Sequence, residues 1–419
     1  MRSYGGGIAV ADLRVWLRNG LLLWEKPLWS MVFAFLVYFL LAQARGPLWV
    51  ASPFAYYNYL ADAFLHAQLH LRLIPPEVHD LVFFEDQYYL YWPPFPALLL
   101  IPFVAVFGVQ FSDIFFTLGI GALNVALVAL ILRAAHRQQV IGLSELQRSL
   151  LVLFFTLGTV HITLAPFGRI WFTGQLVGFC CVALAYLSAL RLNGWKAFLL
   201  TGLALAGAAL TRNHLLFAGV WPVYYLLRKH WPAGEGKRLS CSLAGLAPLA
   251  LAGMLLAAYN WLRFGDPTEV GLNYHLMAQF FLTDYQHYGP FHLHYLPTNL
   301  YYQYLFYPFP LRQESLLGGS LFLLSPVFFI AFWGISTRAR RTSTVALLAS
   351  ILLVSVPILL LMGTGWVQFG PRYTLDFTIP LLLLTGQGVP RWPIQGFGLL
   401  VFISVLHYLR GVLFFMGAV

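Results

Sequence analysis

The chain has 419 residues, of which 60% are apolar and only 10% charged, and its net charge is +10. A water-soluble domain carries about 25% charged residues, so this composition excludes a soluble globular protein and points to one that crosses a bilayer many times. The positive charge then marks the loops on one side of the membrane rather than a nucleic-acid surface: no nucleic-acid partner is expected, and membrane lipid is.

Residues 1–27 lack the short apolar core and small-residue cleavage site of a signal peptide. Leu13, Trp16, Leu17 and Leu21 line one helical face against Arg14 and Arg18, which predicts a cytoplasmic interfacial helix. The rest of the chain, 28–419, reads as a single transmembrane domain. Its apolar runs lie near 28–48, 112–133, 149–167, 174–191, 197–212, 214–228, 240–262, 316–335, 344–363, 374–389 and 394–415. The predicted fold is therefore all-α and polytopic, with about 11 transmembrane helices. Cys180, Cys181 and Cys241 fall in or beside these runs and form neither a disulfide framework nor a metal-type pair.

The run 96–108 is too short to cross a hydrocarbon core of about 30 Å as a helix. With it placed at the interface, 17 Lys and Arg residues fall on the side of the N-terminus and seven on the other. The N-terminus is then inside, in a cell (inner) membrane. Two long loops lie outside, about 49–111 and 264–315, and most acidic residues lie with them.

Residues 53–71 of the first outer loop have helical period. Asp62, His66 and His70 follow at i, i+4 and i+8, a spacing that suits a base, a proton relay or part of a metal site. An amphipathic helix with its polar side up gives the same pattern. Glu85 and Asp86 predict a turn before the aromatic run Tyr88, Tyr89, Tyr91 and Trp92. Aromatic side chains at this depth serve either as interfacial belt or as a stacking face for a sugar. Arg169, Arg212 and Arg372 sit at or just within spans at the outer face, where an unpaired arginine is costly and therefore a functional candidate. Arg372 and Asp376, at i, i+4, could pair with each other; Arg212 could snorkel to the interface. In the second loop His292-x-His294 with His287 could ligate a metal, but no carboxylate or cysteine stands at a fixed offset, and a wet aromatic loop fits better.

The order of these features resembles the GT-C superfamily of polyprenyl-phosphate-dependent glycosyltransferases. The branch it is most similar to is that of the protein O-mannosyltransferases and aminoarabinose transferases. YYLYWPPFPALLLIPFVAVFG stands where that group has an aromatic-Pro-Pro segment followed by a short apolar stretch. LTGLALAGAALTRNHLLFAGVWPVYYLLRK resembles its hinged helix pair, and FGPRYTLDFTIPLLLL its late span beginning R-Y. The resemblance implies juxtamembrane helices in the first outer loop and transfer of a sugar from a polyprenyl-phosphate donor on the outer face. It implies that Arg212 and Arg372, with Arg169, face the lipid phosphate, helped by His66, Tyr88 and Trp92. It leaves a divalent metal open. The family's acidic pair after the first span is missing, because that place reads Ala51-Ser52-Pro53-Phe54. A second acid is missing from the segment Gly168 to Gln175. A base would then come from elsewhere in the loop, with Asp62 first and Asp80, Glu85 and Asp86 behind it. The same absence motivates a second reading, a non-catalytic lipid-binding or assembly subunit of a larger membrane complex. A transporter is a third, but no internal repeat supports it.

Overall fold

A computed structural model describes residues 19–230, 234–335 and 341–418. Most of the interfacial helix expected around Leu13 to Leu21 lies outside the described residues. The structure is helical almost throughout. Among the described residues, seven helices are long and apolar enough to cross a membrane by themselves. Among them are α1 (Pro27–Arg45), preceding the juxtamembrane helices α2 (Tyr56–Leu65) and α3 (Phe95–Phe107), and α4 (Asp113–Arg137). Then follow α5 (Glu145–Leu157, extended by His161–Leu164), α6 (Ile170–Arg191), α7 (Gly194–Ala209), α8 (Val220–His230) and α9 (Glu235–Phe264). After α10 (Gln279–Tyr288) in the second loop come α11 (Arg341–Leu360), α12 (Thr378–Gly388) and α13 (Ile394–Ala418). The four remaining predicted spans appear as shorter or interrupted helices: α7, Asn213–Gly219 with α8, the broken run Leu321–Ile335, and Arg372–Phe377 with α12.

The helix ends are fixed by local chemistry. Pro27 occupies the first turn of α1, where its missing N–H costs nothing. The Ser112 hydroxyl accepts from the Phe115 N–H to start α4, and Ser144 with Gln147 forms a reciprocal capping box on α5. Neighbours α1, α4, α6, α7 and α9 pack side by side. The α7–α9 contact is backbone-close: a Cβ on Gly202 would fall 2.2 Å from the Gly245 carbonyl oxygen, so only glycine permits it.

Two contacts decide the path of the short apolar run. The Ser112 hydroxyl donates to the Leu48 carbonyl at 2.6 Å, and the Ser52 N–H to the Asp113 carboxylate at 2.7 Å. The end of α1 and the start of α4 are therefore on one face, and the chain between them returns to the side it left. At 13 residues, α3 is about 20 Å long and lies against α2 without making a crossing.

Three local expectations change. The helix expected over 53–71 runs only from Tyr56 to Leu65. It stops because Ala67 turns to φ +55° and the Gln68 N–H folds back onto the Ala63 carbonyl at 2.9 Å, so Asp62, His66 and His70 do not share a helical face. Nor does α2 lie with one side in water: Tyr56 through Ala63 are all buried. Finally, Glu85 and Asp86 do form the expected turn, both at positive φ, but they join two short strands, β1 (Val82–Phe84) and β2 (Gln87–Tyr89).

Candidate functional site

The face that carries both long loops gathers charges from remote parts of the chain. Arg45 ends α1, Arg169 stands just before α6, Arg212 follows α7, and Arg372 opens the turn that leads into α12. Arg212 and Arg372 lie against the same ring, 5.4 and 4.8 Å from the centroid of Tyr373. Arg169 is within electrostatic range of Arg45, Asp113 and Arg372. Two buried carboxylates, Asp113 and Asp376, stand against Arg169, Arg212 and Arg372, so positive charge is in excess. A surplus of that kind in a place poor in water is an anion site in waiting.

Asp376 does not pair with Arg372, as the i, i+4 spacing suggested. Its Oδ2 meets Arg212 Nη2 at 3.0 Å and His214 Nε2 at 2.8 Å, while Oδ1 accepts from the Gln175 amide at 3.2 Å. The short helical turn Arg372–Phe377 directs the Asp376 side chain to the hinge after α7, which no local signal reveals. Gln175 also donates to the Arg372 carbonyl at 2.6 Å, tying α6 to this turn. Arg372 is left buried, 6% exposed, with one side-chain hydrogen bond, from Nη2 to the Tyr373 hydroxyl at 3.2 Å. Its Nε has no hydrogen-bond partner, and neither does the buried hydroxyl of Tyr57 on α2. Buried polar atoms are nearly always satisfied, and orphans such as these mark where a ligand's or a water's polar atoms belong. The backbone makes room: Gly365 has φ +108°, and a Cβ there would come within 2.8 Å of Arg372 Nε. The next two residues, Trp366 and Val367, are held at φ +34° and +43°, a strained arrangement for non-glycine residues and most of all for a β-branched one.

Ser52 occupies the place where an acid was missing, and the fold brings one to it. The Ser52 N–H and hydroxyl donate to the two oxygens of Asp113, each at 2.7 Å. Sequence reading passed over Asp113 because it looks like an ordinary acidic first-turn residue of a helix.

The two long loops meet over this region. The Asp80 N–H donates to the Leu276 carbonyl and the Leu276 N–H to the Leu81 carbonyl, both at 2.8 Å, so a strip of the second loop pairs with the first. Asp80, at φ +67°, accepts from Trp171 Nε1 at 3.0 Å and meets His275 Nε2 at 3.1 Å. Tyr91 packs edge-on against His275, with centroids 4.8 Å apart, and stacks on Trp92 at 3.8 Å. Burial raises the pKa of the Tyr91 phenol above its usual value, and neighbouring Asp80 adds to this. Tyr91 also lies within electrostatic range of Arg372 and Tyr57.

The other predicted residues are placed as follows. Asp62 is engaged by Arg72 in a two-pronged pair, Nε and Nη2 each at 3.0 Å, and this partner raises the pKa of the Arg72 guanidinium above its ordinary value. His66 ends α2, with Nδ1 on the Asp62 carbonyl at 2.8 Å. Asp86 is exposed at the hairpin tip, and Tyr88 packs at a tilt across the hairpin on Phe83, with centroids 5.0 Å apart. In the second loop His292 Nδ1 accepts from the His294 N–H, the His294 ring stacks on Tyr288 at 4.0 Å, and His287 bonds the Thr283 carbonyl. Among the described residues no three His, Cys, Asp or Glu side chains converge as metal ligands do.

No protein-family model matches the chain, and no curated protein does. The fold is similar to the crystal structure of ArnT from Cupriavidus metallidurans bound to undecaprenyl phosphate, with a TM-score of 0.51 over 88% of this chain. The chain has the ArnT fold. Sequence identity is 16%, and the chain spans 61% of the length of that protein. The all-α, many-span architecture expected of a GT-C-like chain is thereby borne out.

Proposed function

We propose that this chain is a membrane glycosyltransferase that takes a sugar from a polyprenyl-phosphate donor at the long-loop face and passes it to an acceptor. The observation that carries this reading is Arg372: a buried guanidinium with an unpartnered Nε, beside Arg212 and around a shared tyrosine ring. A guanidinium's fork matches phosphate oxygens, and a phosphate would satisfy both the surplus charge and the orphaned donor. The ArnT-like fold, from a protein crystallised with undecaprenyl phosphate, fits a lipid phosphate better than a soluble one. The basic face is then cytoplasmic and the reaction face external, as the charge distribution of the loops favours.

In the reaction, the bond between the sugar anomeric carbon and the donor phosphate oxygen breaks, and a bond to the acceptor oxygen forms. The polyprenyl phosphate leaves with its negative charge held by Arg372 and Arg212, and Asp376 and His214 fix Arg212 in place. The acceptor's proton passes to the Asp80–His275 pair, whose imidazole packs against Tyr91. Asp62 is less suited to that task because Arg72 already neutralises it, and Asp86 stands at the hairpin tip. Trp92 and Tyr91 offer a stacked aromatic face for a sugar. Asp113, drawn toward Arg45 and Arg169, positions the arginines.

The test is binding of undecaprenyl phosphate to the purified full chain in nanodiscs, wild type against Arg372→Gln. Losing a charge-assisted contact should weaken binding by roughly tenfold or more. Unchanged affinity would remove Arg372 from the site. Tight binding without transfer to any acceptor, together with stoichiometric co-purification of other membrane subunits, would favour a non-catalytic lipid-binding role.

A further inference from the structure

A second amphiphile site lies at the opposite face and does not depend on the reading above. A groove of about 850 Å³ runs between α7, α8 and α9, lined by Leu205, Leu216, Val220, Val223, Leu227 and Leu249. Leu216, Val223 and Leu227 are each 40% exposed along it, so it opens sideways to the bilayer. From Leu216 to Arg228 the path is roughly 18 Å, close to one leaflet of a core about 30 Å thick. At the basic face the groove does not end in apolar side chains. Tyr224 and Arg228 line both the groove and an adjoining polar pocket of about 410 Å³ that also holds Gln138, Gln139, Lys229 and Ser343.

The side chains of that pocket are arranged as donors. The Tyr224 hydroxyl donates to Thr342 Oγ1 at 2.7 Å and accepts from Arg228 Nη1 at 3.2 Å, which aims the guanidinium and uses one of its five N–H groups. The Lys229 ammonium donates to the Leu192 carbonyl at 3.1 Å. Among the described residues no carboxylate lies within ion-pair distance of either cation. An apolar channel one leaflet long thus adjoins, at Tyr224 and Arg228, a compartment with two cations. That combination matches an amphiphile with an anionic head. We infer that this cavity binds an anionic phospholipid of the basic-face leaflet, with its phosphate between Arg228 and Lys229 and its acyl chains along α8.

The experiment uses the purified full chain, equilibrated with equimolar phosphatidylglycerol and phosphatidylcholine and read by native mass spectrometry for retained lipid. Two cations at about 1 kcal/mol each correspond to a roughly 30-fold preference for phosphatidylglycerol. The double variant Arg228→Gln with Lys229→Gln should bring that preference close to one. Val223→Trp, which fills the groove and leaves the charges, should reduce retention of both lipids. Arg372→Gln, at the other face, should change neither. An undiminished preference in the double variant, or unchanged retention with Val223→Trp, overturns the inference. Loss of the lipid in Arg372→Gln would overturn it too, because the groove would then belong to a lipid whose phosphate sits at the long-loop face.

Discussion

At the scale of single residues, the site is built by satisfying some charges and leaving others. Asp376 is fully enclosed, ion-paired with Arg212 and in contact with His214 Nε2, and removing one member of a buried pair costs more than the pair itself contributes. Asp376→Asn should therefore destabilise the protein by about 3 kcal/mol. Thermal unfolding in detergent would register the loss, and adding Arg212→Gln should recover most of it; a double variant no more stable than the single one would mean that the pair is not coupled. Gly365→Ala places a Cβ within 2.8 Å of Arg372 Nε and 2.7 Å of Gln368 Oε1. It should weaken undecaprenyl phosphate binding by roughly tenfold, an effect readable by the same nanodisc titration. Arg212 and Arg372 were legible in the sequence because an arginine at the edge of an apolar run needs a reason to be there. Helical spacing, the only pairing rule that a linear sequence offers, suggests Arg372 as a possible neighbour of Asp376, whereas the partner arrives from the hinge after α7. Asp113 and Gln175 carry no local mark at all.

At the scale of elements, the two outer loops act as one cover. Strip pairing between Asp80–Leu81 and Leu276, with the Asp80–His275 contact, holds the second loop against the first. His275→Ala should raise amide exchange over residues 266–290 and, on the proposed mechanism, reduce transfer, while leaving undecaprenyl phosphate binding within a few-fold of wild type. Exchange that stays unchanged would mean the backbone strip alone holds the loop. The turn after α9 offers a pH test. Asp266 Oδ1 accepts from the Thr268 N–H at 2.7 Å and from its hydroxyl at 2.8 Å, which holds the carboxyl below its usual range. The stabilisation is present above the unfolded value, about 3.9, and is lost as pH falls through the lower folded value. Protection of the Thr268 amide should accordingly persist at neutral pH and disappear only on strong acidification. The hairpin turn at Glu85–Asp86 was readable because two acidic residues before an aromatic run favour a turn. The early stop of α2 was not, since Ala67 is a residue that sequence alone would leave in the helix.

At the scale of the whole molecule, the chain sorts its ends into two faces. Glu25 meets Arg148 at 2.7 Å, Tyr225 meets Gln138 at 3.2 Å and Lys229 meets Leu192 at 3.1 Å at one face; the arginine cluster and both long loops occupy the other. The direction of insertion can be measured with single cysteines. Cys180, Cys181 and Cys241 are buried and should stay unreactive toward a membrane-impermeant maleimide. Glu85→Cys should label from outside intact cells, and Gln139→Cys only after permeabilisation; the reverse pattern would invert the topology.

The sequence by itself determined that the chain is a many-span helical membrane protein. It also determined where the helices run, that 96–108 does not cross, and that positive charge collects on one side. These follow from apolar length and loop charge, which are additive along a chain. The tertiary structure alone decided that Asp376 belongs to Arg212, that Ser52 is answered by Asp113, and that Asp80 meets His275 across two loops. It also left Arg372 with an unpartnered Nε. Such facts depend on which helix ends meet at a face, and packing in three dimensions, not distance along the chain, sets that.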